Sequence, residues 1–172
     1  SAAAHFEKFR QLESFFGKQP QMYLDGCMRA ADCYFKLKNY DKALAAYDYA
    51  IERNANGSDY ALFQKGMIQG VINQPEDKVK TLRQIPNKFP RSGYIDDALF
   101  EIANTRLQQE DYPSAIREFE YILSEYPNSI YYRRARMSLG LIHYNKQDDK
   151  KALEQFKKVA EQYTKTTEGK EA

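Results

Sequence analysis

Between Asp96 and Gln108, apolar residues fall at Ala98, Leu99, Ile102, Ala103 and Leu107, the three-and-four spacing of one face of an α-helix. After Glu110 and Asp111 the pattern restarts. Ala115, Ile116, Phe119, Ile122 and Leu123 line one face of a second helix from Ser114 to Glu125. Pro113 stands in its first turn, where a missing N–H costs nothing, and Pro127 stops it. The same pattern predicts helix pairs over 21–38 with 41–54 and over 131–145 with 149–163. A further helix over 59–72 is followed by one that Pro75 opens and Pro86 interrupts, so the latter is expected to be short or kinked.

These pairs are copies of one another. Ala31, Gly66, Ala103 and Gly140 fall in one register, as do Tyr47, Leu82, Phe119 and Phe156, and then Ala50, Ile85, Ile122 and Val159. Between copies runs a punctuation string, EYPNS at 125–129, with weaker forms KFPRS at 88–92 and AEQYTKT at 160–166. Small and aromatic residues at fixed offsets with this period predict an all-α fold of stacked antiparallel helical hairpins, a solenoid without strands. The expected copies are 20–57, 58–91, 92–128 and 129–166. A partial helix of a preceding copy is expected over 1–19, where Ala2 and Phe6 stand four apart like Ala115 and Phe119, and 167–172 opens a further copy. The chain thus reads as a stretch of a longer array.

The small residues let two helices approach, and the ring of the facing helix fills the space beside them. The second copy breaks this rule, because Lys78 stands where the others have Ala43, Ala115 and Ala152. Together with Pro86, that substitution marks the second copy as the expected soft joint.

Composition adds little direction. The 172 residues include 14 Tyr, 10 Phe and no Trp, and the net charge of +2 gives no general drive toward nucleic acid or anionic lipid. Charge is uneven, however: residues 92–128 carry 2 basic and 8 acidic side chains, and residues 129–172 carry 10 and 6. Alternation of sign either solvates the outer helices or marks an acidic patch that selects a basic partner. No apolar run approaches the roughly 20 residues of a membrane helix. Cys27 and Cys33, on one helix about 9 Å apart along its axis, are too distant to bridge and read as small buried fillers.

The columns resemble the tetratricopeptide repeat family. Its motif has small residues at the eighth and twentieth positions, an aromatic at the twenty-fourth, a small or aliphatic residue at the twenty-seventh and a proline near the thirty-second. The third copy supplies Ala103, Ala115, Phe119, Ile122 and Pro127, and the fourth Gly140, Ala152, Phe156 and Val159 with Thr164 in place of the proline. The period and the Tyr-Pro-Asn-Ser ending are similar to the bacterial cell-envelope branch, which includes the periplasmic repeat protein of the Tol-Pal system and the lipoprotein of the outer-membrane β-barrel assembly machine. The resemblance implies a right-handed α-solenoid that binds a partner protein or peptide. The Lys and Asn that clamp a peptide carboxylate in the chaperone-binding branch are replaced here by Met28 and Asp32 in the first copy and by Phe100 and Asn104 in the third. In the family these positions line the concave groove. The candidate partner-binding set is therefore Met28, Phe63, Phe100 and Met137, with Asp32, Met67, Asn104 and Leu141 one turn on. A column of Met and Phe suits adaptable contact with an apolar peptide or helix, and equally suits packing between copies.

Chemistry is poorly supplied. His5 and His143 are the only histidines, and there is no phosphate-binding glycine loop, HExxH or cysteine-histidine metal spacing. The acid pairs Asp96–Asp97, Glu110–Asp111 and Asp148–Asp149 sit where helices begin and read as caps. Lys146, Lys150, Lys151, Lys157 and Lys158, like Arg133, Arg134 and Arg136, read as a solvated face and not as a nucleic-acid site. The expectation is a non-catalytic scaffold without metal or cofactor, periplasmic or associated with the outer membrane. Its rivals are a cytoplasmic regulatory or chaperone-associated adaptor, and a rigid arm of a larger enzyme or sugar-binding protein.

Overall fold

The computed structural model describes residues 20–168, and these form nine helices with no strand among them. They are α1 (Pro20–Lys36), α2 (Tyr40–Glu52), α3 (Ser58–Val71), α4 (Pro75–Leu82), α5 (Gln84–Lys88), α6 (Ile95–Gln108), α7 (Tyr112–Glu125), α8 (Tyr132–Asn145) and α9 (Asp149–Glu168). The partial helix expected over 1–19, with His5, lies outside the described residues, as do 169–172 and the side chain of Thr164. The last helix runs on through Glu168 instead of stopping at Tyr163.

The helices divide into two compact units, one ending at Tyr94 and the other beginning at Ile95. In the first, α1 packs on α2, α2 on α3, and α3 on both α4 and α5. In the second, α6 packs on α7, α7 on α8, and α8 on α9. Each unit is thus two successive hairpins, with the small-residue columns at their centres. Ala31, Ala43, Ala50 and Tyr47 are buried in the first unit, and Ala103, Ala115, Phe119 and Ile122 in the second.

All four hairpins turn in the same way. Lys38, Asn73, Glu110 and Gln147 have φ of 58°, 60°, 59° and 60°, the left-handed conformation. The next N–H in each case reaches back five residues: Asn39 to the Tyr34 carbonyl, Gln74 to Gln69, Asp111 to Arg106 and Asp148 to His143, at 2.8–2.9 Å. This is the Schellman closure, which satisfies carbonyls that a helix end leaves without partners. A Cβ in that conformation costs about 1–2 kcal/mol, and none of the four residues is glycine. Glu110→Gly is accordingly expected to raise the stability of the second unit by about 1 kcal/mol, measured by urea denaturation. A loss of stability would show that the Glu110 side chain contributes more than its backbone costs.

Asp111 and Asp148 then cap the following helices, accepting from Ser114 N at 3.2 Å and Lys151 N at 3.3 Å. The Ser114 hydroxyl and then its N–H hold the Asp111 carboxyl below the usual carboxylate range, and the Lys151 N–H does the same for Asp148. Asn39 caps α2 through Lys42 N at 3.4 Å.

The second hairpin departs from the expectation in an informative way. Lys78 is buried with its aliphatic stem against Gly70, where an added Cβ would stand 3.1 Å from Lys78 Cδ. In the other copies the register partners of Gly70 are Phe35, Leu107 and Tyr144, and those of Lys78 are Ala43, Ala115 and Ala152. Large-opposite-small has become small-opposite-large, so Lys78 fills the contact and does not loosen it. The break between α4 and α5 falls at Arg83, and Pro86 lacks the N–H that would bond the Leu82 carbonyl. Amide hydrogen exchange is expected to be faster over residues 75–90 than over 114–125, because the first stretch is two short helices and the second one unbroken helix. Equal protection would refute this.

Of the cysteines, Cys27 is buried as expected, but Cys33 is exposed on the outer side of α1, and both are free thiols. His143 is half-buried, its Nδ1 3.9 Å from Asp148 Oδ2.

Candidate functional site

The eight candidate residues fall four to each unit, and the structure gives them different fates. In the first unit Met28 is 5% exposed, with its terminal carbon beside Gly57 at the start of α3. Asp32 accepts hydrogen bonds on Oδ1 from the hydroxyls of Tyr47 and Tyr60, the latter at 2.8 Å. Burial, and then this bond to a carboxylate, push the Tyr60 hydroxyl up to about 12. The carboxylate therefore ties α1 to α2 and α3 and is engaged within the fold. Phe63 stacks on Tyr94, with ring centroids 5.6 Å apart and planes inclined by 23°. Met67, one turn on, is half-buried.

In the second unit Phe100 is 2% exposed. The Tyr131 ring stacks on it at 4.4 Å, Phe119 meets it edge-on at 5.9 Å, and the Arg134 guanidinium lies 4.5 Å from its centroid. Asn104 is half-buried. Met137 and Leu141, one turn apart on α8, are 40% and 51% exposed. Met28 and Phe100 thus belong to packing between copies, which corrects their reading as groove contacts. The physical reason lies in the following copy: Tyr131, just before α8, lays its ring over Phe100 as Tyr94, just before α6, does over Phe63, and Met28 packs beside Gly57 at the start of α3.

A second recurrent contact was not legible as such. Ser92 Oγ donates to Asp59 Oδ2 at 2.6 Å and accepts from Tyr94 N at 3.1 Å. Ser129 Oγ donates to Asp96 Oδ2 at 2.7 Å and accepts from Tyr131 N at 3.0 Å. Tyr131 also donates its hydroxyl to Asp97 Oδ1 at 2.6 Å; burial, and then this bond, push that hydroxyl up to about 12. Asp96, expected with Asp97 to cap α6, accepts the Asp97 N–H on Oδ1 at 3.1 Å, and both carboxylates also serve as acceptors for the next copy. The signal was present: the serine ends both KFPRS and EYPNS, and an acid precedes each by 33 residues.

A surface cleft of about 490 Å³ in the first unit lies between Asn54–Asp59 and Lys88–Ser92, the segment that carries this serine latch. No described helix is long and apolar enough to cross a membrane, and no group of three metal-ligating side chains occurs among the described residues.

Sequence families divide the chain much as the units do. Residues 25–56 and 60–92 match two tetratricopeptide repeat models, and residues 95–172 match that of YfiO, described as an outer membrane lipoprotein. The chain is a tetratricopeptide repeat protein. It resembles the bacterial envelope branch of that family through its second half. No curated protein matches the chain. Among solved structures, MamA aligns with a TM-score of 0.70 at 17% identity, over 93% of this chain and 89% of its own. BtubC from P. vanneervenii aligns at 0.68 and 14% identity, over 93% of this chain and 75% of its own. YrrB, described as a TPR protein with an unusual peptide-binding site, aligns at 0.60 and 15% identity, over 88% and 81%. At these identities the likeness is one of fold, and it places this tetratricopeptide repeat protein in the helical-repeat solenoid class.

Proposed function

We propose that the protein is a non-catalytic interaction scaffold that holds a partner protein or peptide within a bacterial envelope assembly, in the periplasm or at the outer membrane. The observation that carries the reading is the pair Met137 and Leu141. They continue a column that is covered in the preceding copies, yet stand 40% and 51% exposed on α8. Large apolar side chains held at fixed spacing on a rigid helix are what an interaction surface requires. The envelope part rests on the outer membrane lipoprotein model matched by residues 95–172, the half that carries these two residues. The groove of this scaffold is accordingly formed by Met137 and Leu141, and the half-buried Asn104 holds the position one copy earlier in the same unit. Met67 and the partly covered Phe63 hold the corresponding positions in the first unit.

Site-specific photo-cross-linking in the source cell tests this. A benzophenone amino acid at Leu141 is expected to give a discrete protein adduct in the envelope fraction, and the same group at the exposed Lys157 none. Absence of an adduct at both Met137 and Leu141 would refute the scaffold surface, and adducts confined to the cytosol would refute the envelope assignment.

A further inference from the structure

The walls of the cleft in the first unit, 54–59 and 88–92, are the segments that join the first copy to the second and the second to the third. Since the following copy begins at the far wall, no further copy of the array is missing from it. The walls carry two exposed cations, Lys88 and Arg91, and one carboxylate, Asp59. That carboxylate is engaged within the fold, its Oδ1 accepting from Tyr60 N at 2.9 Å and its Oδ2 from Ser92 Oγ at 2.6 Å. Among the described residues Lys88 meets only a neutral acceptor, Gln84 Oε1 at 2.8 Å, and Arg91 meets none.

This pair of uncommitted cations is particular to one junction. One copy later KFPRS becomes EYPNS, with Glu125 and Asn128 in place of Lys88 and Arg91. One copy earlier the same places hold Arg53, laid on the Tyr49 ring at 3.6 Å, and Asn56. Ammonium and guanidinium groups only donate, so the group that matches them is an acceptor, best a carboxylate. The exposed amides of Asn54 and Asn56 on the opposite wall both donate and accept, as the N–H and C=O groups of an extended backbone require. The volume of about 490 Å³ exceeds what one small anion fills and falls within the roughly 300–1,000 Å³ of sites that enclose larger ligands.

We propose that this cleft binds an extended acidic segment of a partner protein, its carboxylates paired with Lys88 and Arg91 and its backbone with Asn54 and Asn56. The site shares no residue with the α8 surface and stands independently of it. The parts of this chain outside the described residues do not match the chemistry. Residues 1–19 offer Glu7 and Glu13 against Lys8, Arg10 and Lys18, and 169–172 offer Glu171 beside Lys170, so neither is an acidic segment.

The probe is a short, end-capped, fluorescent peptide with glutamate at alternate positions and serine between; its counterpart has glutamine for every glutamate. By fluorescence anisotropy at low ionic strength the full chain is expected to bind the glutamate peptide about fivefold more tightly or better, as two exposed ion pairs would give. Added salt should erase the difference, because it screens exposed charges. Lys88→Glu with Arg91→Asn, which writes the charges of the next junction into this one, should abolish the preference. Lys150→Asn with Lys157→Glu makes an equal change of charge at exposed sites on α9 and should leave it intact. Thermal melts equal to the parent's are the control for folding, and chemical-shift changes at 54–59 and 88–92 of the parent locate the peptide without any variant. Equal binding of the two peptides, equal loss in both variants, or shifts centred elsewhere would overturn the proposal. So would displacement of the peptide by an equal concentration of inorganic phosphate, which would mark a small-anion site. A dimer of the parent chain that Lys88→Glu with Arg91→Asn dissociates would also overturn it, since a second copy would then be the occupant. None of these results bears on the Leu141 cross-link, so this site and the scaffold surface fail separately.

Discussion

Phe100→Ala is expected to destabilise the second unit by about 3–5 kcal/mol, the cost of deleting a buried aromatic ring from a core that collapses only in part. The ring is 2% exposed and is held from three sides by Tyr131, Phe119 and the Arg134 guanidinium. Its removal therefore deprives α6, α7 and α8 of a common contact and leaves a cavity between two copies. Urea denaturation monitored by circular dichroism, with hydrogen exchange in α6 and α7 to localise the loss, measures it. A change within about 1 kcal/mol, as for a surface residue, would return Phe100 to the groove. Leu141→Ala, one register step and one turn away, is expected to stay within that surface range.

Gly66→Ala is expected to cost the first unit about 1–3 kcal/mol through overpacking. An added Cβ would stand 2.6 Å from Leu82 Cδ2 and 2.7 Å from its Cγ, and Leu82 is fully buried, so it has no space in which to withdraw. The intrinsic helix preference of Ala over Gly, up to about 1 kcal/mol, works in the opposite direction and is outweighed. Gly26, in the interior of α1, isolates that opposing effect because nothing lies within 4 Å of its added Cβ. Gly26→Ala should therefore stabilise the same unit by about 0.5–1 kcal/mol. Thermal melts of the two variants moving in the same direction would contradict the packing account of the small-residue column.

Helix pairs were legible because local periodicity sets which face is apolar, and that is a property of neighbours three and four apart. Repetition made the reading stronger, since Ala103, Phe119 and Ile122 recur in register with Gly140, Phe156 and Val159. The hairpin turns were not legible in their conformation. Lys38, Glu110 and Gln147 lack the glycine that usually announces a left-handed residue, and their φ is imposed by the need to close two packed helices. Lys78 was misread as a loosened contact for a related reason. Its partner Gly70 lies in a different helix, and only their juxtaposition shows that the exchange of large for small occurs on both sides.

By itself the sequence determined the all-α repeat architecture, the register of its columns and the family to which they belong, because these depend on spacing along one chain. Tertiary structure alone decided which column residues remain a surface. Met28, Phe63, Phe100 and Met137 share one register, and no local property separates them. Met28 is covered beside Gly57 and Phe63 and Phe100 by the rings of Tyr94 and Tyr131 that the next copy brings, whereas Met137 and Leu141 meet no such ring among the described residues and stay open. Exposure is a property of what arrives from elsewhere in the chain, so identical positions in successive copies become core in one and candidate interface in the next.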